Sequence, residues 1–203
     1  MRIAEHGEIV TRDNWHDLFN ALVWITFPRA KAAISEAHAR FIGRRGEGEM
    51  LRRSRERDLL TLFDESGAII VSEDEALLDL IRNFRWKEIF WQRRAEMRSR
   101  MQVYLFGHAL FEKMLAPFPG ITAKAYCLRA PADWKAKEPA ARIAALDDHL
   151  AALWADDASL KSSRILTPLP LLGWPGWHPG GMEEKFYDDH SYFRPGYTRR
   201  GKA

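Results

Sequence analysis

Two short segments set imidazole and carboxylate groups at spacings that can do chemistry: Trp15-His16-Asp17-Leu18-Phe19-Asn20 and His108-Ala109-Leu110-Phe111-Glu112. His108 and Glu112 are four residues apart and share one face of a helix. His16, Asp17 and Asn20 fall in a narrow polar sector of an otherwise aromatic helix. Imidazoles and carboxylates move protons at neutral pH or ligate divalent metals. The candidate catalytic set is therefore His16, Asp17, His108 and Glu112. Of these, His16, His108 and Glu112 form the candidate ligand set for a divalent metal cofactor. Asn20, Arg57 and Lys124 are the candidate substrate-binding residues, the two cations suiting a small anionic ligand. The competing reading is structural. Buried polar groups must be hydrogen-bonded whatever their role, and one His and one carboxylate per helix fall short of the three ligands usual in catalytic zinc sites.

Other chemistry-bearing residues are less ordered. Asp188, Asp189 and His190 have metal-ligand chemistry without a recognised spacing, and His178 stands alone in a Pro/Gly-rich stretch. Cys127, the one cysteine, excludes an intramolecular disulfide and a cysteine-based zinc site, and reads as a small core residue. Gly43-Arg44-Arg45-Gly46-Glu47-Gly48 is not placed between a strand and a helix, so no phosphate-binding loop is indicated. Arginine-rich runs at Arg44 to Arg57 and Arg85 to Arg100 offer an alternative function. In that reading the chain is a binding or scaffold protein for an acidic partner. Nucleic acid is disfavoured, because the first run lacks aromatic residues for base stacking.

The elements that must position these residues follow from periodicity. Asp13 or Asn14 caps a helix over residues 15–26 whose apolar face, Trp15, Leu18, Phe19 and Leu22, reads as buried. Pro28 opens a second helix ending at Gly43, with Arg29, Lys31, Glu36 and Arg40 toward solvent. Leu59 to Phe63 and Ala68 to Ser72, joined by Asp64-Glu65-Ser66-Gly67, give a hairpin signal. A helix capped by Ser72 or Glu73 then runs through Leu77, Leu78, Ile81 and Phe84. Arg85 to Arg100 reads either as a basic amphipathic helix or as containing a short strand at Ile89 to Gln92. Gln102 to Phe106 is a strand passing through Gly107 into a helix over residues 107–115, and Ile121 to Leu128 is a further strand with Ala123, Ala125 and Cys127 on one face. Lys124, on the other face, takes Glu112 or Asp58 as its anionic partner if it points inward. Pro139 to Trp154 is a helix burying Ile143, Leu146, Leu150, Leu153 and Trp154.

These elements predict an α+β fold of one domain, helices packed on a small, mainly antiparallel sheet. Residues 1–13 form an N-terminal extension, 14–160 the core, 161–196 an ordered Pro/Gly/Trp-rich arm on the core, and 197–203 a basic tail. The 203 residues, 46% hydrophobic, suffice for one core, and a net charge of +3 is only mildly basic. The longest apolar run, Ala21 to Phe27, is too short to cross a bilayer, and with a single cysteine the expectation is a cytoplasmic protein, with homo-oligomerisation open.

Four blocks taken in order, NWHDLFNALVWITFPRAK, RDLLTLFDESG, FGHALFEKMLAPFPGITAKA, and PLPLLGWPGW with FYDDHSYFRP, resemble the bacterial domain of unknown function 3025 from about Asn14 to Pro195. The resemblance implies a cytoplasmic, single-domain bacterial protein and carries no assigned activity. The best functional expectation is a metal-assisted or acid-base hydrolase-like site between helices 15–26 and 107–115.

Overall fold

A computed structural model describes residues 12–43 and 54–196. Its elements are α1 (Trp15–Thr26), α2 (Pro28–Gly43), α3 (Arg55–Ser66), β1 (Gly67–Ser72), α4 (Glu75–Arg82), α5 (Arg94–Arg100), β2 (Met101–Leu105), α6 (His108–Met114), β3 (Thr122–Arg129), α7 (Pro139–Ala155) and β4 (Leu166–Pro170). The sheet runs β2-β1-β3-β4. β1 pairs antiparallel with β2 and parallel with β3, and β3 pairs antiparallel with β4. The fold is α+β.

β1 is buried along its whole length, and its alternation explains the two-sided architecture. Ala68 and Ile70 face a core shared with α4, Phe90, Met97 and the residues after β4. Ile69 and Val71 face a second core formed with α1, α2, α3 and α7. The segment after residue 161 contributes β4 and the buried Leu171, Leu172, Trp174, Tyr187, Tyr192 and Phe193. Pro168 and Pro170 are tolerated because β4 is an edge strand.

Several expectations are corrected. The predicted hairpin has only its second strand. Leu59 to Phe63 lie in α3, where Leu59, Leu60 and Phe63 form a buried helical stripe, and Asp64 is helical too. Helix α3 starts on Ser54, which accepts a hydrogen bond from the Arg57 amide, so the end of the first arginine-rich run, Arg55 to Arg57, is helical. Residues 44–53 of the basic run, 1–11 of the extension and the tail 197–203 lie outside the described residues. Ile89 to Gln92 is not a strand but part of a π-helical turn, Glu88–Gln92, that buries Ile89 and Phe90. Helix α4 is capped by Asp74, neither Ser72 nor Glu73, and ends before Phe84, which adopts φ 58°.

The orientation of α1 is also reversed from expectation. Trp15, Leu18 and Leu22 are exposed, and Ile25 is 77% exposed. The inward face instead carries His16, Asn20, Val23 and Phe27, spaced four, three and four apart. The polar seam is therefore the side that faces the protein, with His16 and Asn20 partly buried along it. On α2, Lys31 does not face solvent but is 3% exposed, beside the buried Ala30, Ala33, Ile34 and Ala37.

Candidate functional site

Two backbone junctions build the site. The turn from β2 into α6 passes directly against the turn from α3 into β1. The amides of Phe106 and Gly107 both donate to the Gly67 carbonyl, at 3.0 and 2.8 Å. A Cβ at Gly107 would lie 2.4 Å from the Gly67 nitrogen and 2.5 Å from the Glu65 oxygen, so only glycine permits this approach. His108, the first residue of α6, is thereby placed beside Asp64, near the end of α3.

From that point a chain of polar contacts runs across four helices. Buried Lys31 Nζ donates to Asn20 Oδ1 on α1 (2.8 Å) and to Asp64 Oδ1 on α3 (2.5 Å), with the Trp24 ring 5.5 Å away. The Asp64 backbone carbonyl receives His108 Nδ1 at 2.8 Å. His108 Nε2 is 3.1 Å from His16 Nε2, and His16 Nδ1 is 3.0 Å from Glu112 Oε2. The order along it is Asn20, Lys31, Asp64, His108, His16, Glu112. His108 is 6% exposed, whereas His16 and Glu112 have side chains nearly half exposed.

The acceptors fix the tautomers. A carbonyl can only accept, so His108 Nδ1 carries a proton and donates to Asp64. An ionised Glu112 likewise can only accept, so His16 Nδ1 donates to it. Each neutral ring then presents an Nε2 lone pair to the other. Burial is the largest influence on His108 and pushes its imidazole below the ordinary value. Asp64 opposes that shift, and Lys31 and His16 add to it.

Of the predicted catalytic residues, the structure brings His16, His108 and Glu112 together and sends Asp17 elsewhere. Asp17 belongs to the start of α1, where its carboxylate accepts from the Arg12 amide at 2.7 Å and its own amide donates to Asn14. The predicted metal triad does not share one side of His16, because Glu112 meets Nδ1 and His108 meets Nε2. Among the described residues, no three His, Cys, Asp or Glu side chains form a metal-holding group.

A family whose description is "Protein of unknown function (DUF3025)" matches residues 1–197. The chain belongs to the DUF3025 family. No curated protein and no solved structure matches it. The chemistry of this DUF3025 member thus has to be read from its own side chains.

Of the predicted substrate-binding residues, Asn20 is in the network, but as the partner of Lys31. Arg57 is in the first turn of α3 with its Nε buried and without a hydrogen-bond partner among the described residues. Lys124 lines a separate groove of about 490 Å³ with Trp86, Pro168, Tyr192 and Arg194, and no described ion pair joins it to Glu112 or Asp58. A cleft of about 780 Å³ runs along the outer side of α1 past Trp15, Leu18 and Ala21 and shares only Glu112 with the network. The basic run after α4 is locally neutralised: Arg85, Arg93 and Arg100 pair with Glu88, Glu96 and Asp74. No described helix is long and apolar enough to cross a membrane.

Lys31 and Asp64 are the network residues that sequence reasoning missed. Lys31 carried a weak signal, since it shares a helix face with Ile34 three residues on. Asp64 carried none, because its reading as a turn residue followed from the mistaken hairpin.

Proposed function

We propose that this chain is a hydrolase-like enzyme whose reacting centre is the His16–His108 pair. One observation carries the reading: the two Nε2 atoms lie 3.1 Å apart while each Nδ1 is held by its own acceptor. The ring nitrogen left without an acceptor on each histidine, Nε2, keeps its lone pair and can accept a proton from water. His16, at the solvent edge, is the base that withdraws that proton from an attacking water and returns it to the leaving group. Glu112 holds His16 in the required tautomer and stabilises the imidazolium as it forms. His108 is fixed from behind by the Asp64 carbonyl, and Lys31 fixes Asp64. Neither Arg57 nor Lys124 is part of the pair's surroundings, so the reading assigns them no substrate contact.

The test is turnover of chromogenic carboxylic esters, phosphate esters and anilides by the wild type, His16→Ala and Glu112→Gln. Hydrolysis of one class is expected, reduced by about 10²–10⁴-fold in His16→Ala. Absence of turnover on all three classes, or equal rates for wild type and His16→Ala, overturns the reading.

A further inference from the structure

We infer that the Nε2 atoms of His16 and His108 bind one divalent transition-metal ion of the zinc class, with Glu112 and the Asp64 carbonyl as its outer supports. The distance permits it. Nitrogens 3.1 Å apart can both reach one ion at about 2.0–2.1 Å, with an N–metal–N angle of about 100°, near the tetrahedral value. The ring centroids are 4.5 Å apart with planes at 79°. At 4.5 against 3.1 Å, the centroids are 1.4 Å further apart than the nitrogens, less than two rings aligned head-on would give, so the rings meet at an angle. Two imidazoles bound to one ion meet at such an angle, whereas a straight N–H···N bond would align them.

The outer contacts are a second, independent indication. A metal-bound histidine donates its other ring N–H to a carboxylate or backbone carbonyl, which orients the ring and raises its basicity. Here both rings have such a partner, Glu112 for His16 and the Asp64 carbonyl for His108. Glu112 is thus an outer support and not the ligand that the sequence suggested. Local charge favours a cation, because the carboxylates of Asp64 and Glu112 outnumber the ammonium of Lys31. The ligand type selects zinc, cobalt, nickel or copper over magnesium and calcium. Two imidazoles are one fewer than the usual three protein ligands of a catalytic zinc. The remaining positions fall to water and substrate on the open, His16 side. An ion there would lower the pKa of its bound water toward about 7.

An ion held by both Nε2 atoms would take up the lone pair that His16 needs as a base, so in the metal-bound protein the hydrolysis proposed above would use the ion's bound water in place of His16; that the ion binds does not rest on that reading. The test uses full-length protein purified without a histidine tag and stripped with a chelator. Co²⁺ is titrated with its visible absorption as readout, and Zn²⁺ by calorimetry. One ion per chain is expected. His16→Ala, at a half-exposed position that leaves the fold in place, abolishes uptake, Glu112→Gln weakens it by about 10–100-fold, and Asp17→Asn leaves it unchanged. No uptake of either ion by the wild type, or equal uptake by wild type and His16→Ala, overturns the inference. Hydrolysis by a protein that takes up no metal does the same while leaving the acid-base reading standing. Uptake without turnover upholds the site and overturns the hydrolase reading.

Discussion

Lys31 is the residue on which the interior half of the network depends. Its ammonium is buried between Asn20 and Asp64, and Asp64 in turn presents its carbonyl to His108. Removing one member of a buried pair costs about 3–5 kcal/mol because the other charge stays behind unpaired. Asp64 keeps 24% of its side chain exposed, so water offsets part of that loss. Lys31→Met is expected to destabilise by about 3 kcal/mol, the lower end of that range, read from the midpoint of urea unfolding. Cys127 illustrates the opposite case. Burial pushes its thiol up to about 12, and a thiol in that state is not a nucleophile at neutral pH. Alkylation by iodoacetamide at pH 8 is expected to be negligible in the folded protein and complete in denaturant.

His149 gives a pH dependence with a defined sign. Its ring faces the Tyr126 hydroxyl at 3.0 Å, and burial lowers its imidazole below the ordinary value. The unfolded chain therefore binds a proton more readily than the folded one. The stabilisation is fully present above the unfolded value of about 6.5 and is lost as pH falls through the lowered folded value. The thermal midpoint should fall between about pH 7 and pH 5, and less steeply in His149→Gln. Equal slopes in the two proteins would remove His149 as the source.

At the scale of elements, Asp147 fastens α7 to the start of α2. Its carboxylate accepts from the amides of Arg29 (3.1 Å) and Ala30 (2.8 Å), two of the first-turn donors that a helix leaves unpaired. It acts as a capping residue from another helix, and Asp147→Ala should cost about 1–3 kcal/mol. The two faces of α1 and α3 separate what was legible in the sequence from what was not. Periodicity located α1 and α7, whose apolar residues repeat over many positions, while Pro28 and Gly43 marked out α2 and Gly107 marked the start of α6. It identified the apolar face of α1 without revealing which face turns inward. That depends on Lys31 and Glu112, which come from other helices and satisfy Asn20 and His16. The five residues Leu59 to Phe63 suit a strand and a helix equally, and Gly67 resembled a turn glycine. Its real role is at the end of α3, where a Cβ would lie 2.3 Å from the Phe63 carbonyl oxygen; the long-range requirement, which no local pattern shows, falls on Gly107, whose backbone lies against Glu65, Ser66 and Gly67. Pairing His16 with His108 was within reach of the sequence, because each lies near the start of a helix that the sequence marks, one by its cap and one by the glycine before it. Phe63→Ala, in the core, should cost about 3–5 kcal/mol, while Ile25→Gln, on the apolar but outward side of α1, should stay within about 0.5 kcal/mol. A large loss for Ile25→Gln would mean that this face is covered.

For the whole molecule, the question is whether residues 161–196 decorate the core or complete it. Four aliphatic or phenylalanine side chains from this segment, Leu169, Leu171, Leu172 and Phe193, are each at most 2% exposed in the core on the α4 side of the sheet. At about 1.5–3 kcal/mol for each side chain fully buried, they contribute roughly 6–12 kcal/mol, which is as large as the net stability of a typical domain. The polar seams agree. Tyr192 donates to the Ile121 carbonyl and accepts from the Leu172 amide, both at 2.8 Å, and Trp86 Nε1 donates to the Arg194 carbonyl at 2.8 Å. These bonds tie the segment to both ends of the same core, and β4 covers the edge of β3. A chain ending at residue 160 would expose β3 as an edge and leave Phe90 without the Trp174, Tyr187 and Phe193 rings packed around it. Such a truncation is expected to show helical circular dichroism but no cooperative thermal transition. Supplying residues 161–196 as a separate peptide should restore the transition, since the missing contacts lie in one continuous stretch. If the truncated chain melts cooperatively within a few degrees of the full protein, the segment is an appendage and the two-sided core described here is not what holds the sheet in place.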